Sequence, residues 1–433
     1  MIPVGAGDII ALVEKGRSLY GYVRSKRTRD IAAGATGARA LPELYDSLRV
    51  LYYDVPVLAG PDGPFPMGVL PLTPEAQADP ELLLGRVVNP PIERPVYERK
   101  VLEAIKKRGA TIWNGRTFSL AELRIDAQER AVSMDAYLGS YFDMVCSADY
   151  LEYEMLAALV RSSFRSIGLD DLPARSRALA RAADPMSCLL GGGGVDAAIS
   201  ISTLVVYKRR DRYWMICEVR SDLVAEYGAL YHVAPSFIFQ PVVSPTRDNL
   251  KTEWCIQHNI FREYLEELFD VPEAQMSKRS MSAEYFYAHP NLLYLRSLLA
   301  EGGARLSGIA LSFNLLSHRP EICTLLIIED ERWFETQKDR FLAAGAGLSY
   351  LCLNEEFRTA EHDGASTTLE RVTTLAVDDP YWSNIVRPWS MVPQGAPALV
   401  LGAKAACREL NIAEPDWLSR MSIDPGRPSP LQL

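Results

Sequence analysis

The chain has 433 residues, 48% of them hydrophobic and 23% charged. That is ordinary globular material, enough for two or three domains. A formal net charge of −9 argues against a nucleic-acid backbone as the main partner, though not against a small nucleotide held by local arginines or a metal ion. No apolar run reaches the length of a membrane span, no basic-then-apolar leader opens the chain, and the seven cysteines stand singly, so the expectation is a protein with no membrane contact in a reducing, cytoplasmic compartment. Cysteines and histidines form no cluster with zinc-ligand spacing.

In chain order, Asp8 to Glu14 is a short helix candidate. The basic run Arg24, Lys26, Arg27, Arg29 and Arg39 reads as a solvated segment rather than an anion site. Leu48 to Tyr53 reads as a strand by its β-branched and aromatic content. The proline-rich stretch 56–97 should be an extended wrapping segment, because prolines lack backbone donors. Val96 to Arg108 reads as an amphipathic helix. Phe118 to Asp126 and Ala131 to Met144 read as paired strands, and Tyr150 to Ser166 as a helix.

Gly191 to Gly194 lacks the Gly-Lys-Ser/Thr of a phosphate-binding P-loop and reads as a flexible entry into a second domain. Ala198 to Tyr207 and Tyr213 to Arg220 read as a hairpin around a basic turn. Gly228 to Pro235 reads as a further strand, with His232 as an ordinary packed or edge histidine. The segment from Pro235 to Pro241 follows. Then comes Arg262-Glu263-Tyr264-Leu265-Glu266-Glu267-Leu268-Phe269. At about 100° per residue, Glu263, Glu266 and Glu267 share one arc of roughly 100°, beside an apolar arc of Ile260, Phe261, Tyr264, Leu265 and Leu268. Like charges at i, i+3 and i+4 destabilise a helix by a few tenths of a kcal/mol each; a Mg²⁺ ion would remove that repulsion, and Arg262 can hold one carboxylate in place. Alternatively, this is a solvated acidic face. Asn291 to Ala300 reads as a helix, and Leu306 to Leu316 and Ile322 to Ile328 as strands around a solvated turn. On that turn His318 and Glu321 are candidates for a base or a substrate contact. Glu331 to Ala344 and Ala396 to Leu410 read as helices, and the tail from Pro425 as frayed.

Arg262-Glu263-x-x-Glu266-Glu267 resembles the second half of the Nudix box, G-x(5)-E-x(7)-R-E-U-x-E-E-x-G-U, with Tyr264 at the hydrophobic U. The strand pair, the pre-box strand, the helix and the later hairpin follow in the order of that family. The similarity covers about residues 195–350. It implies a fold of α+β, α-β-α type: a Nudix-like mixed-sheet sandwich over residues 186–395, preceded by an α+β N-terminal domain at 1–185 and followed by a C-terminal helix and tail at 396–433. It further implies that Glu263, Glu266 and Glu267 bind Mg²⁺ (or Mn²⁺), with Glu263 or Glu267 as general base and Arg262 as a structural residue. Arg220, Phe237, Phe239 and Glu321 would contact the substrate. The implied activity is Mg²⁺-dependent hydrolysis of a nucleoside diphosphate linked to another group, with a small nucleotide-type ligand as partner; a homodimer is left open.

Several positions depart from the box. Phe269 replaces its closing glycine, Asp270 the next hydrophobic residue and Trp254 its first glutamate, with Glu253 one position off. Pro235 to Pro241 stands where the opening glycine turn belongs. Those departures favour the alternative of a non-catalytic or repurposed Nudix-like domain that binds a nucleotide or metabolite or serves in regulation.

Overall fold

The computed structural model describes residues 4–22, 42–91, 93, 96–107, 112–162, 167–220, 227, 230–241, 246, 249–269, 271, 287–334 and 372–426. The basic run from Arg24 to Arg39, Asp270 and most of the helix expected from Glu331 lie outside the described residues.

The fold is mixed α and β around a mixed sheet. Among the described residues its ten strands are β1 (Val57–Gly60), β2 (Gly63–Pro71), β6 (Ser200–Arg209), β7 (Arg212–Val219), β8 (Tyr231–Val233), β9 (Ser236–Ile238), β10 (Ala304–Asn314), β11 (Pro320–Ile328), β12 (Val372–Ala376) and β13 (Ser422–Asp424). Eight of them run in the order β12-β7-β6-β11-β10-β2-β1-β13; β8 pairs with β7, and β9 with β6. The β6–β11 pair is parallel, with Glu321 opposite Ser200 and Ile328 opposite Tyr207. A second sheet has the order β3 (Leu84–Val88), β5 (Ala131–Ser140), β4 (Arg116–Ile125).

The central strands are apolar on both faces because helices cover both. On one face Leu204, Val206, Met215, Leu325 and Ile327 pack under the alanine-rich helix Gly395–Glu409. On the other, Val205, Tyr207, Ile216 and Leu326 pack under helices Ile256–Phe269 and Pro290–Glu301. Alternation along β6 thus feeds two cores, which is the period-2 geometry of a strand. Among the described residues no helix is long and apolar enough to cross a membrane.

The boundary expected near residue 185 does not separate the strands. β1 and β2, from the first hundred residues, join the central sheet through β10, and β13 closes its edge against β1. β4 is stitched on as well: Phe118 N donates to Phe239 O at 2.9 Å, and Ile199 N to Phe118 O at 2.8 Å. The proline-rich segment is accordingly not a surface wrap in its first part. Pro64 and Pro66 lie in β2, where prolines lack a donor but keep an acceptor; Leu315 N donates to Pro66 O at 2.9 Å, and the β1–β2 register is irregular between Val57 and Ala59.

Two local expectations also change. Leu48 lies on helix Pro42–Leu51, whose inward residues Leu44, Tyr45, Leu48 and Leu51 follow helical spacing. β5 ends at Ser140 rather than Met144, because Ser140 Oγ accepts from Asp143 N at 3.2 Å and caps helix Tyr141–Arg161. The six described cysteines, Cys146, Cys188, Cys217, Cys255, Cys323 and Cys407, are free thiols.

Candidate functional site

The hairpin of β6 and β7 closes around Arg210 and Asp211, both with positive φ, as a two-residue turn of primed type requires. The strands pair only from Val206 to Arg209 and from Arg212 to Met215. Beyond that they part, and Tyr231–Ile238 enters the gap: β8 runs against Cys217–Val219 and β9 against Ser200–Ser202. Pro235, after a cis bond to Ala234, sits at the crotch and accepts from Thr203 N at 2.9 Å. This fork brings polar side chains from four strands to one place.

Ser202 on β6 donates to Glu321 Oε1 on β11 at 2.5 Å. Ser202 Oγ lies 2.8 Å from Ser236 Oγ on β9, and Ser236 Oγ lies 3.1 Å from His232 Nε2 on β8. Ser202, Glu321 and His232 are buried. Burial pushes the Glu321 carboxyl up to about 7, against the opposing pull of the Ser202 hydroxyl and Arg319. Burial and then the Arg220 charge push His232 down to about 3, against the Val233 carbonyl. His232 is therefore neutral at physiological pH, while Glu321 is divided between two states.

The acidic helix meets this chain from the opposite side. Glu267 Oε2 accepts from Ser236 N at 2.8 Å, and Glu263 Oε1 pairs with Arg262 Nη2 at 2.5 Å. Glu263 and Glu267 are buried and Glu266 is half-buried, so this is not a solvated acidic face. Among the described residues no group of three or more His, Cys, Asp or Glu side chains converges in a way that could hold a metal ion. The glutamates implied as ligands do not fit a Mg²⁺ site: two of the three direct an oxygen at a protein donor. Hard divalent ions need several such oxygens aimed at one point.

The remaining sequence-derived candidates divide. Glu321 and Arg220 lie at the fork; Phe237 is half-buried beside it. Phe239 is not free to stack on a ligand, because it packs against Phe118 and Trp254 with ring centroids 5.1 and 4.9 Å away. The turn holding His318 is buried, not solvated. His318 has φ +64 and donates from Nδ1 to Gly193 O at 2.7 Å, which leaves Nε2 to accept from Tyr52 OH. Arg175, fully buried, donates to Leu315 O at 2.7 Å, Leu316 O at 2.6 Å and Leu151 O at 3.2 Å. This second polar cluster pins the N-terminal layer to the β10–β11 turn. Gly191 to Gly194 is a packed turn here, with Gly192 and Gly193 buried: Gly192, Gly193 and Gly194 have positive φ, and a Cβ on Gly193 would lie 2.5 Å from His318 Cβ. A cleft of about 300 Å³ beside this run is lined by Asn89, Tyr137, Arg181, Ser187 and Cys188; no fork residue lines it.

Sequence reasoning missed Ser202 and Ser236. Serines in a strand carry no signal of their own. The one clue was Pro235-Ser236, standing where the box expects its glycine turn.

No protein-family model matches the chain, and no curated protein matches it.

Proposed function

We propose that this chain is a metal-independent, ligand-binding or regulatory protein on a repurposed Nudix-like scaffold. Support for the scaffold comes from the parallel β6–β11 pair, helices on both sheet faces, and an acidic helix that meets the strand segment preceding it. The observation that carries the metal-independent reading is the bond from Ser236 N to Glu267 Oε2. A carboxylate that accepts a backbone N–H in a buried site is a structural fastener, and removing it would leave an unsatisfied donor. Glu267 then serves to close the fork. The ligand would be a small nucleotide-type or metabolite molecule reaching the fork past Phe237 and Arg220. The free thiols support a reducing compartment such as the cytoplasm.

The competing reading is the Mg²⁺-dependent hydrolase, favoured by the intact Arg262-Glu263-x-x-Glu266-Glu267 spacing. A panel of dinucleotides, nucleotide sugars and ADP-ribose-like compounds separates the two. The proposal expects no Mg²⁺- or Mn²⁺-dependent release of nucleoside monophosphate. Metal-dependent release from the wild type, lost in Glu267→Gln, would establish the hydrolase instead.

A further inference from the structure

We propose that Arg220, His232 and Gln394 form a subsite for one oxyanion of the ligand, a carboxylate or a phosphoryl group, and that the Glu321–Ser202–Ser236–His232 chain couples its occupancy to a proton. This deepens the reading that the fork binds a ligand rather than a metal.

Three polar atoms at this end of the fork are buried without a hydrogen-bond partner: Arg220 Nε, His232 Nδ1 and Gln394 Oε1. His232 and Gln394 are 3% and 7% exposed. They are neighbours. A Cβ on Gly395 would lie 2.7 Å from His232 Nδ1, so the start of helix Gly395–Glu409, with Gln394 just before it, abuts the ring. Arg220 follows β7 directly, is anchored by its N–H to Leu230 O at 2.9 Å, and is the side-chain charge that acts on His232. Buried orphan groups are uncommon in folded proteins, and a cluster of them fits a place where water, an ion or another molecule supplies the partners. A guanidinium donor, an imidazole and an amide, whose oxygen and nitrogen are interchangeable by a flip, suit an oxyanion.

The four-residue chain sets what His232 offers. Each link holds one proton, so the chain has two directions. With Glu321 ionised, Ser202 donates to Glu321, Ser236 to Ser202, and His232 Nε2–H to Ser236. His232 Nδ1 then presents a lone pair, which repels an anion. With Glu321 protonated, every bond reverses: Glu321 donates to Ser202, Ser202 to Ser236, and Ser236 to Nε2. The neutral ring now carries its proton on Nδ1 and donates to the anion. Binding thus takes up one proton at Glu321, and no covalent bond changes beyond the O–H and N–H shifts. The other groups facing the chain are Arg319, Ser312 and Cys323 around Glu321, and Glu218 and Cys217 around His232, with Glu267 on Ser236 N.

Sulfate and acetate are suitable probes because neither changes charge between pH 6 and 9; sulfate stands for a phosphoryl group and acetate for a carboxylate. Calorimetric titration at fixed ionic strength should show binding of at least one at pH 6. Affinity should fall about tenfold per pH unit above roughly 7, the slope of a one-proton linkage. Glu321→Gln, which never ionises and can turn either its nitrogen or its oxygen toward Ser202, should bind with an affinity that no longer changes from pH 6 to 8.5. Arg220→Met should lose binding at every pH while keeping the wild-type unfolding midpoint within a few degrees. A folded wild type that binds neither anion at pH 6 overturns the subsite. A pH slope that persists in Glu321→Gln overturns the relay and assigns the proton to His232. Mg²⁺-dependent turnover would overturn the metal-independent reading while leaving an anion isotherm that depends on Arg220 in place.

Discussion

Replacing Glu321 by glutamine should stabilise the protein in alkali and leave it nearly unchanged in acid. Glu321 is 1% exposed, and its folded-state carboxyl is pushed from 4.5 to about 7. A raised carboxyl pKa means the folded protein holds this proton more tightly than the unfolded chain. The associated stability is fully present below about 4.5 and is lost as pH rises through about 7. A shift of roughly 2.5 units at 1.36 kcal/mol per unit amounts to about 3 kcal/mol. Glutamine keeps the shape and a donor toward Ser202 but never ionises. The difference in unfolding free energy between Glu321→Gln and wild type should therefore grow by about 3 kcal/mol from pH 4.5 to pH 8.5. Urea denaturation at a series of pH values measures it, and all other titrating groups cancel between the two proteins. A difference that stays flat across this range would refute the account of a buried, proton-binding carboxyl at the fork.

Three further outcomes are expected. His232 and His318 are pushed down to about 3 and His258 to about 4, burial being the largest cause in each; unfolding below about 6.5 therefore takes up protons, and stability should drop from pH 6.5 toward 4.5 despite the opposite contribution of Glu321, as urea melts would record. Arg175→Met removes the donor shared by Leu151, Leu315 and Leu316 carbonyls and should cost about 3 kcal/mol or more, with faster amide exchange in helix Tyr141–Arg161. Gly193→Ala combines φ +66 with a Cβ 2.5 Å from His318 Cβ and should cost about 2 kcal/mol or more, read as a lowered thermal midpoint.

Local pattern made much of the chain legible. The helices at Ile256–Phe269, Pro290–Glu301 and Gly395–Glu409, and strands β4, β6, β7, β10 and β11, lie close to where periodicity placed them. What stayed hidden depends on partners remote in sequence. The β10–β11 turn looked solvated because polar residues fill it; Tyr52, Arg175 and Gly193 cover it. Prolines in β2 looked incompatible with a sheet, yet the Pro66 carbonyl accepts from Leu315 N at the end of β10. Gly191 to Gly194 looked flexible because glycine permits many conformations, while packing against Leu120 and His318 selects one. At the fork the half-motif pointed to the helix that the structure brings there. Helical spacing puts Glu263, Glu266 and Glu267 on one arc, but it cannot say that Arg262 and Ser236 N will meet two of them.

Direct titration with Mn²⁺ followed by electron paramagnetic resonance tests the central claim that the acidic helix closes the fork instead of holding a metal. Free Mn²⁺ gives a sharp signal that binding removes. The account predicts that the signal in the presence of wild-type protein matches that of buffer up to millimolar Mn²⁺ and is the same for Glu263→Gln and Glu267→Gln. Loss of one equivalent of signal with wild type, restored by either substitution, would contradict it.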